Sequence, residues 1–333
     1  MMTINTTEEA SPWHAGERAL QSEAGVAERM EELGRRVLRD HLIDQHRAFY
    51  PQLPFIVLGT VDGEGDAWAT LRAGGPGFLQ SPDPHTLSVG LGREPGDPAD
   101  AGMGDGEPIG MLGIELHTRR RNRLNGTIRR SGPTAFDVEV GQSYGNCPKY
   151  IQLRDFSFVR DPTAGPSSEP AILETLDDGA RRMIGAADAL FVASYAEPET
   201  GRRQVDVSHR GGRPGFVRVG SDGVLTIPDF AGNMFFNTLG NILANGKAGL
   251  VFADFETGGL LQLSGDARVV LDSPEIEAFE GAERLLYFTP RRIIRRPDAL
   301  PLRWAFQDDG QSPNLRTTGS WAEAERRLSV LTA

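Results

Sequence analysis

The chain writes nearly the same stretch twice, as "TLRAGGPGFL" at 70–79 and "SHRGGRPGFV" at 208–217. The match runs without a gap over 69–79 and 207–217, at an offset of 138 set by Gly77 and Gly215 (215 minus 77). A second ungapped match lays "GMLGIELHTRRRNRLNG" (110–126) over "GLVFADFETGGLLQLSG" (249–265), at an offset of 139 between Gly126 and Gly265 (265 minus 126). Two matches in the same order, one register step apart, are the mark of an internal duplication. Each copy reads as strand, Pro-Gly-aromatic turn, strand, variable segment, long apolar strand, Thr, and a strand ending at Gly. Two copies are too few for a solenoid. The pattern predicts two small antiparallel barrels packed together, each curling its sheet to avoid free edges.

At 333 residues the chain has room for two domains. The expected boundary is the linker-like "DPTAGPSSEP" at 161–170, giving an N-terminal region of helices plus first barrel (1–160). The second barrel and the C-terminal helices follow (161–333). The first fifty residues read as helical, with Ser11 as an N-cap and Gly25 dividing two helices. "FIVLGTV" from Phe55 is the first strand and "DGEGD" its turn. After the linker, "AILETLDDGARRMIGAADA" reads as helix and "LFVASYA" as strand. Near the C-terminus "PEIEAFEGAERLL" and "SWAEAERRLSVLTA" read as helices, and "TPRRIIRRP" as a basic strand or loop.

Hydrophobic content of 39% and charged content of 24% are those of a soluble globular protein. No apolar run approaches the roughly 20 residues of a membrane helix. The opening "MMTINTTEEASPW" has neither a basic start nor an apolar core, so no secretion signal is expected. A single cysteine, Cys147, fits a reducing cytoplasm. The net charge of −11 argues against general nucleic-acid binding, so any anion must be held by a local site. The scattered histidines and lone cysteine give no metal-ligand spacing, and no metal is expected.

The copies differ in the segment between their repeated strands. In the first it is "GLGREPGDPADAGMGDGEPIG", which reads as a loose acidic loop. In the second it is "IPDFAGNMFFNTLGNILANGKAG", with Asn233 as N-cap, Asn245-Gly246 as stop, and Phe235, Leu239, Ile242 and Leu243 on one helix face. A helix that starts directly after a strand turns its first amides to open space, where a phosphate fits; Asn237, Thr238 and Asn241 add neutral donors. An ordinary connecting helix has the same pattern. In "DVSHRGGRPGF", Asp206, Ser208 and Arg210 alternate with Val205, Val207 and His209, placing polar groups on a half-buried sheet. Gly211 and Gly212 leave backbone that a flat group can approach, and Arg210 and Arg213 add positive charge. The first copy has Leu71 and Arg72 at the places of His209 and Arg210. "HTRRRNRLNG" gathers Arg119, Arg120, Arg121 and Arg123, either a solvated turn or an anion site. In "YGNCPKYI", Pro148 suits a first helical position with Asn146 or Cys147 as cap, and Lys149 is a candidate for an anionic cofactor.

"SHRGGRPGFV…LTIPDFAGNMFFNTLGNILANGKAGLVFADFETGGLLQLSGDA" resembles the flavin-binding split barrels related to pyridoxamine 5′-phosphate oxidase. With "SPWHAGERALQ", "RRRNRLNG" and "SYGNCPKYIQ", the resemblance is to the branch with two barrels in one chain, and it covers most of residues 11–300. It implies a mainly β fold with flanking helices, two tandem antiparallel split β-barrels of Greek-key type forming an internal pseudo-dimer. It further implies FMN between the barrels, an oxidoreductase acting on a small molecule or redox partner, and a homodimer of the two-barrel chain. The cofactor set it points to is Ser208, His209, Arg210, Gly215, Phe216, Val217, Asn233, Thr238, Asn241, Lys149 and Arg120. Pyridoxamine phosphate oxidase carries an Arg-Lys pair on the helix where this chain has "NTLGN", so the phosphate ligands differ. A non-catalytic flavin-binding or electron-transfer protein, or a split barrel holding haem or a deazaflavin, is the alternative.

Overall fold

The computed structural model describes residues 11–130, 132–166, 168–198 and 201–331. The expectation for the first ten residues lies outside the described residues, as do the last two residues of the C-terminal segment. Helices α1 (Ala15–Glu23), α2 (Ala27–Val37) and the short α3 (Asp44–Arg47) lead in. The first sheet follows: β1 (Phe55–Val61), β2 (Ala67–Ala73), β3 (Leu79–Asp83), β4 (Thr86–Val89), β5 (Pro108–Glu115), β6 (Arg120–Arg129) and β7 (Phe136–Gly145). Then come β8 (Arg154–Phe158), β9 (Ala171–Leu173) and α4 (Asp178–Ala186). The second sheet has β10 (Ala189–Ala196), β11 (Gln204–Gly211), β12 (Arg218–Val219) and β13 (Leu225–Phe230), then α5 (Asn237–Asn245), β14 (Lys247–Ala253) and β15 (Leu260–Val270). The chain closes with α6 (Pro274–Ala278), β16 (Ala282–Arg296), β17 (Leu302–Phe306) and α7 (Trp321–Leu331).

The duplication is written into the topology. The first sheet runs β2-β1-β5-β6-β7-β4-β3 and the second β11-β10-β14-β15-β16-β13-β12, the same order strand for strand, with every pair antiparallel. Neither path closes between its end strands. The chain is thus mainly β with flanking helices, built from two matched antiparallel units. Each copy also has a β-bulge at the same place, between Asn125 and Gly126 and between Ser264 and Gly265. A Cβ at Gly126 would stand 2.2 Å from the Glu139 carbonyl oxygen, and one at Gly265 2.1 Å from that of Thr289, so only glycine fits either bulge.

Strands β1 and β10 are buried along their whole length and mostly apolar, because both of their faces are covered. Ile56 and Leu58 point into the core of the first unit, while Leu190 and Val192 point into that of the second. Phe55, Val57, Phe191 and Ala193 point the other way, into a third core shared between the units. That seam has pseudo-twofold character. Gly110 of β5 lies against the backbone of Asp206 in β11, and Gly249 of β14 lies against Ala67 and Trp68 in β2.

Several local expectations fail for identifiable reasons. Ser11 does not cap α1, because its hydroxyl donates to Glu31 Oε2 at 2.6 Å. His14 takes that place: its Nδ1 accepts from the Gly16 amide, while its own amide donates to Glu17 Oε2 at 2.9 Å. Gly25 does divide the two helices, at φ +67°. The segment 171–189 is a short strand and a helix capped by Asp177, not one helix. Helix α6 stops at Ala278, and the residues from Ala282 onward join β16, which extends through the "TPRRIIRR" stretch. The acidic segment of the first copy is no loose loop: Asp97 and Asp100 are buried around a 3-10 turn at Pro98–Gly102. Pro148 opens no helix. The chain turns at Lys149–Tyr150 and runs on to β8, which pairs with β17 from the other end of the chain.

Candidate functional site

A cleft opens at the seam, about 840 Å³ counted out to its mouth. The second unit supplies β11, whose alternation sets Ser208 and Arg210 on one side of the strand. It also supplies the connection from β13 to α5. Asn233 does not cap this helix. Its Oδ1 accepts from the Phe235 amide in a local turn, and Met234 and Phe236 then adopt left-handed backbone (φ +62° and +61°) before α5 begins at Asn237. Gly246, at φ +70°, ends the helix as expected. Leu239 and Ile242 are buried with Phe235, whereas Leu243 is exposed and leaves the expected face. The first unit contributes Arg121 and Arg123 from β6, and Asn146, Cys147, Lys149 and Tyr150 from the segment after β7.

Five basic side chains line this cleft, Arg121, Arg123, Lys149, Arg210 and Arg284, against one carboxylate, Asp229. Asp229 pairs with Arg210 and with Arg284, the latter at 2.9 Å. Arg123 pairs with Asp206 at 3.1 Å and donates to Asn237 Oδ1 at 3.0 Å. Arg121 has no ion pair or side-chain hydrogen bond among the described residues, and its buried Nε has no partner. Burial first, then the charges of Arg123 and Arg210, push its pKa down to about 9. His209, packed edge-on against Phe191, is held well below the usual histidine range by burial and by Arg121, Arg154 and Arg210. It is therefore neutral at physiological pH, and its Nε2 is unpartnered, as is Nδ2 of Asn146. Unpaired polar groups this buried are costly, and a group offering acceptors and negative charge satisfies the Arg121 and Asn146 donors at once.

The structure brings Ser208, His209, Arg210, Asn233, Thr238 and Lys149 together in this cleft. Ser208 and Thr238 share a 2.6 Å hydrogen bond. Lys149 Nζ and Tyr150 OH both donate to the Ala231 carbonyl. Other candidates lie elsewhere. Phe216 and Val217 pack in the core of the second unit, and Gly215 (φ +83°) makes the turn that leads Phe216 there. Asn241 bonds to His14 and Ser194. Arg120 lies over the Phe49 ring, Arg119 donates to the carbonyls of Ile151 and Gly310, and Arg213 to that of Leu315. The space expected over Gly211 and Gly212 is filled by the Tyr150 carbonyl and the Phe216 ring. Sequence reasoning passed over Tyr150, Phe236, Asp229 and Arg284. Asp229 had a signal, as the lone charge in the apolar strand "LTIPDF". Arg284 had none.

The matched place in the first unit is built differently. Arg72 sits 2.8 Å from Glu94, and Arg296 pairs with Glu94 and, at 3.1 Å, with Asp97. Asp97 also accepts from Thr70 at 2.6 Å and Gln262 at 2.9 Å. The chain's own carboxylates occupy those arginines.

No protein-family model matches the chain, and no curated protein does. Among solved structures, HupZ from Group A Streptococcus is similar over 36% of this chain and 99% of its own, at 16% identity and a TM-score of 0.29. A candidate pyridoxamine 5′-phosphate oxidase from Lactobacillus delbrueckii is similar over 32% and 95%, at 15% identity and a TM-score of 0.26. An FAD-binding protein from Mycobacterium smegmatis is similar over 38% and 96%, at 13% identity and a TM-score of 0.25.

Proposed function

We propose that the seam cleft holds FMN and that the chain is an FMN-dependent oxidoreductase of the pyridoxamine phosphate oxidase type, acting on a small molecule. The observation that carries this reading is Arg121, a guanidinium set in the cleft wall with no counter-ion, in a chain whose net charge is −11. Arg121 and Lys149 neutralise the phosphate from the first unit, and Arg210 does so from the second. Asn146 Nδ2 supplies a neutral donor. Asp229 already shares its carboxylate between Arg210 and Arg284, so it holds Arg210 in place without leaving a free negative charge facing the ligand. Neutral His209 offers its Nε2 as a polar contact that adds no charge. Phe230, Tyr150 and Phe236 give the cleft apolar walls that exclude water from a flat ring. When bound, the flavin supplies the electron transfer, while the protein supplies orientation and electrostatics.

The test is chromatography of the cofactor released from denatured protein, and FMN is the expected product, at one per chain. Release of FAD or haem, or failure of the apoprotein to take up FMN, overturns the reading.

A further inference from the structure

Behind the cleft wall lies a second pocket, lined by Glu17, Asn125, Gly141, Gln142, Arg202 and Asp206, with Asn237 facing both cavities. The duplication supplies its counterpart in the other unit, and that counterpart is filled. Across the first bulge Asn125 pairs with Gln142; across the second Ser264 pairs with Arg292. The extra bulge residue is Gly141 in one copy and Arg291 in the other. In the second copy the Arg292 guanidinium donates to Asp62 at 2.8 Å and Asp66 at 3.3 Å and lies over the Trp68 ring. Arg291 donates to Asp66 at 2.8 Å. The three carboxylates of Asp62, Glu64 and Asp66 thus hold guanidinium groups from the chain itself.

In the first copy the plug is missing and the acceptors are different: at the offset of 138 Gln204 stands for Asp66 and Asp206 for Trp68, and both line the pocket. Gly141 has no side chain and Gln142 no charge. Asp206 is 3% exposed. Its Oδ1 faces Arg123 and the Asn125 amide, and its Oδ2 has no partner. Asn125 Oδ1 is also buried without a partner. Where the plugged copy has the acidic Glu64 at the mouth, the matched residue here is Arg202, which is exposed.

We propose that this pocket binds a small zwitterion bearing a guanidinium or ammonium group, of which arginine is the simplest. The cationic end donates to Asp206 Oδ2 and Asn125 Oδ1, and the carboxylate meets Arg202 at the mouth. The cation takes the space that the Arg292 guanidinium fills in the counterpart, against acceptors that are particular to this copy. Neither the pocket nor its acceptors depend on which cofactor fills the neighbouring cleft.

Calorimetric titration of the purified chain with L-arginine, L-citrulline and agmatine tests this. Arginine is expected to bind at one site. Citrulline has the same shape without the charge and is expected to bind roughly tenfold or more weakly. Agmatine lacks the carboxylate and is expected to fall between them. Gln142→Arg returns the missing plug and is expected to abolish arginine binding, with an unchanged melting profile showing that the chain is folded. Absence of arginine binding to the unaltered chain overturns the proposal. Equal binding of citrulline, undiminished binding to folded Gln142→Arg, or agmatine binding as tightly as arginine does so as well.

Discussion

Arg123 of the first unit and Asp206 of the second meet at 3.1 Å across the seam, and both are buried. The pair divides the basic cleft, which Arg123 lines, from the pocket that Asp206 lines. It also ties the two units together, since Arg123 donates to Asn237 at the start of α5, a contact that Tyr144 of its own unit shares.

Truncating one side of this pair leaves the other charge buried and uncompensated, which typically costs about 3–5 kcal/mol. Arg123→Ala is therefore expected to lower stability by that amount in urea denaturation. Replacing both partners with apolar residues of similar size, Arg123→Met with Asp206→Leu, is expected to recover most of the loss. A single variant that loses less than about 1 kcal/mol contradicts the assignment, because that is the range of an exposed pair.

The two units predict opposite outcomes for their arginines. Arg121 has no counter-ion, so Arg121→Ala is expected to weaken FMN binding roughly tenfold to a hundredfold, the loss of one charge-assisted hydrogen bond. Arg72 already has Glu94 beside it. Arg72→Ala is expected to leave FMN affinity unchanged and to lower thermal stability, since it strips a partner from a buried carboxylate cluster. Fluorescence titration of FMN into each apoprotein separates the cases, and an Arg72 variant as impaired in FMN binding as the Arg121 variant would show that the first-unit site is also used.

The repeat was legible because duplicated geometry needs the same glycines: Gly77 and Gly215 both turn at positive φ, and Gly126 and Gly265 both sit in bulges. The basic cleft was legible in part. "SHRGG" and "RRRNR" were visible as polar insertions into apolar strands, yet nothing local shows that Arg121 and His209, from different units, share a wall. The true start of α5 was hidden for another reason. Met234 and Phe236 take left-handed backbone against their own preference, a cost that only tertiary packing sets. The pairing of β8 with β17 joins a segment ahead of the 161–170 linker to one near the C-terminus, which no short-range pattern encodes.

Glu17 gives a pH-dependent prediction. Burial, as the leading cause, raises its pKa from an ordinary 4.5 to about 8, against the opposing hydrogen bonds from the His14 amide and Asn237. Between those values the unfolded chain has released a proton that the folded chain keeps, so stability falls as pH rises through this window. Glu17→Gln removes the titrating group and keeps its shape. Its stability relative to the unaltered chain is expected to rise steadily between about pH 5 and about pH 8. A difference that stays flat across that range in denaturant titrations would place Glu17 among ordinary ionised carboxylates.

Cys147 lies on the cleft wall between Asn146 and Lys149, half-buried, and at no helix start. The reading of the cleft as an FMN site gives it a position beside the ligand and no chemical role. Cys147→Ser is accordingly expected to retain FMN binding and turnover, because serine has nearly the same volume. The thiol should nevertheless report on occupancy: alkylation by iodoacetamide is expected to be slower in FMN-loaded protein than in apoprotein, since a ligand in the cleft covers the approach to the sulfur. Mass spectrometry of timed samples reads this directly. Equal alkylation rates with and without FMN would place the ligand away from this wall. Loss of turnover in Cys147→Ser with FMN still bound would make the thiol a catalytic residue.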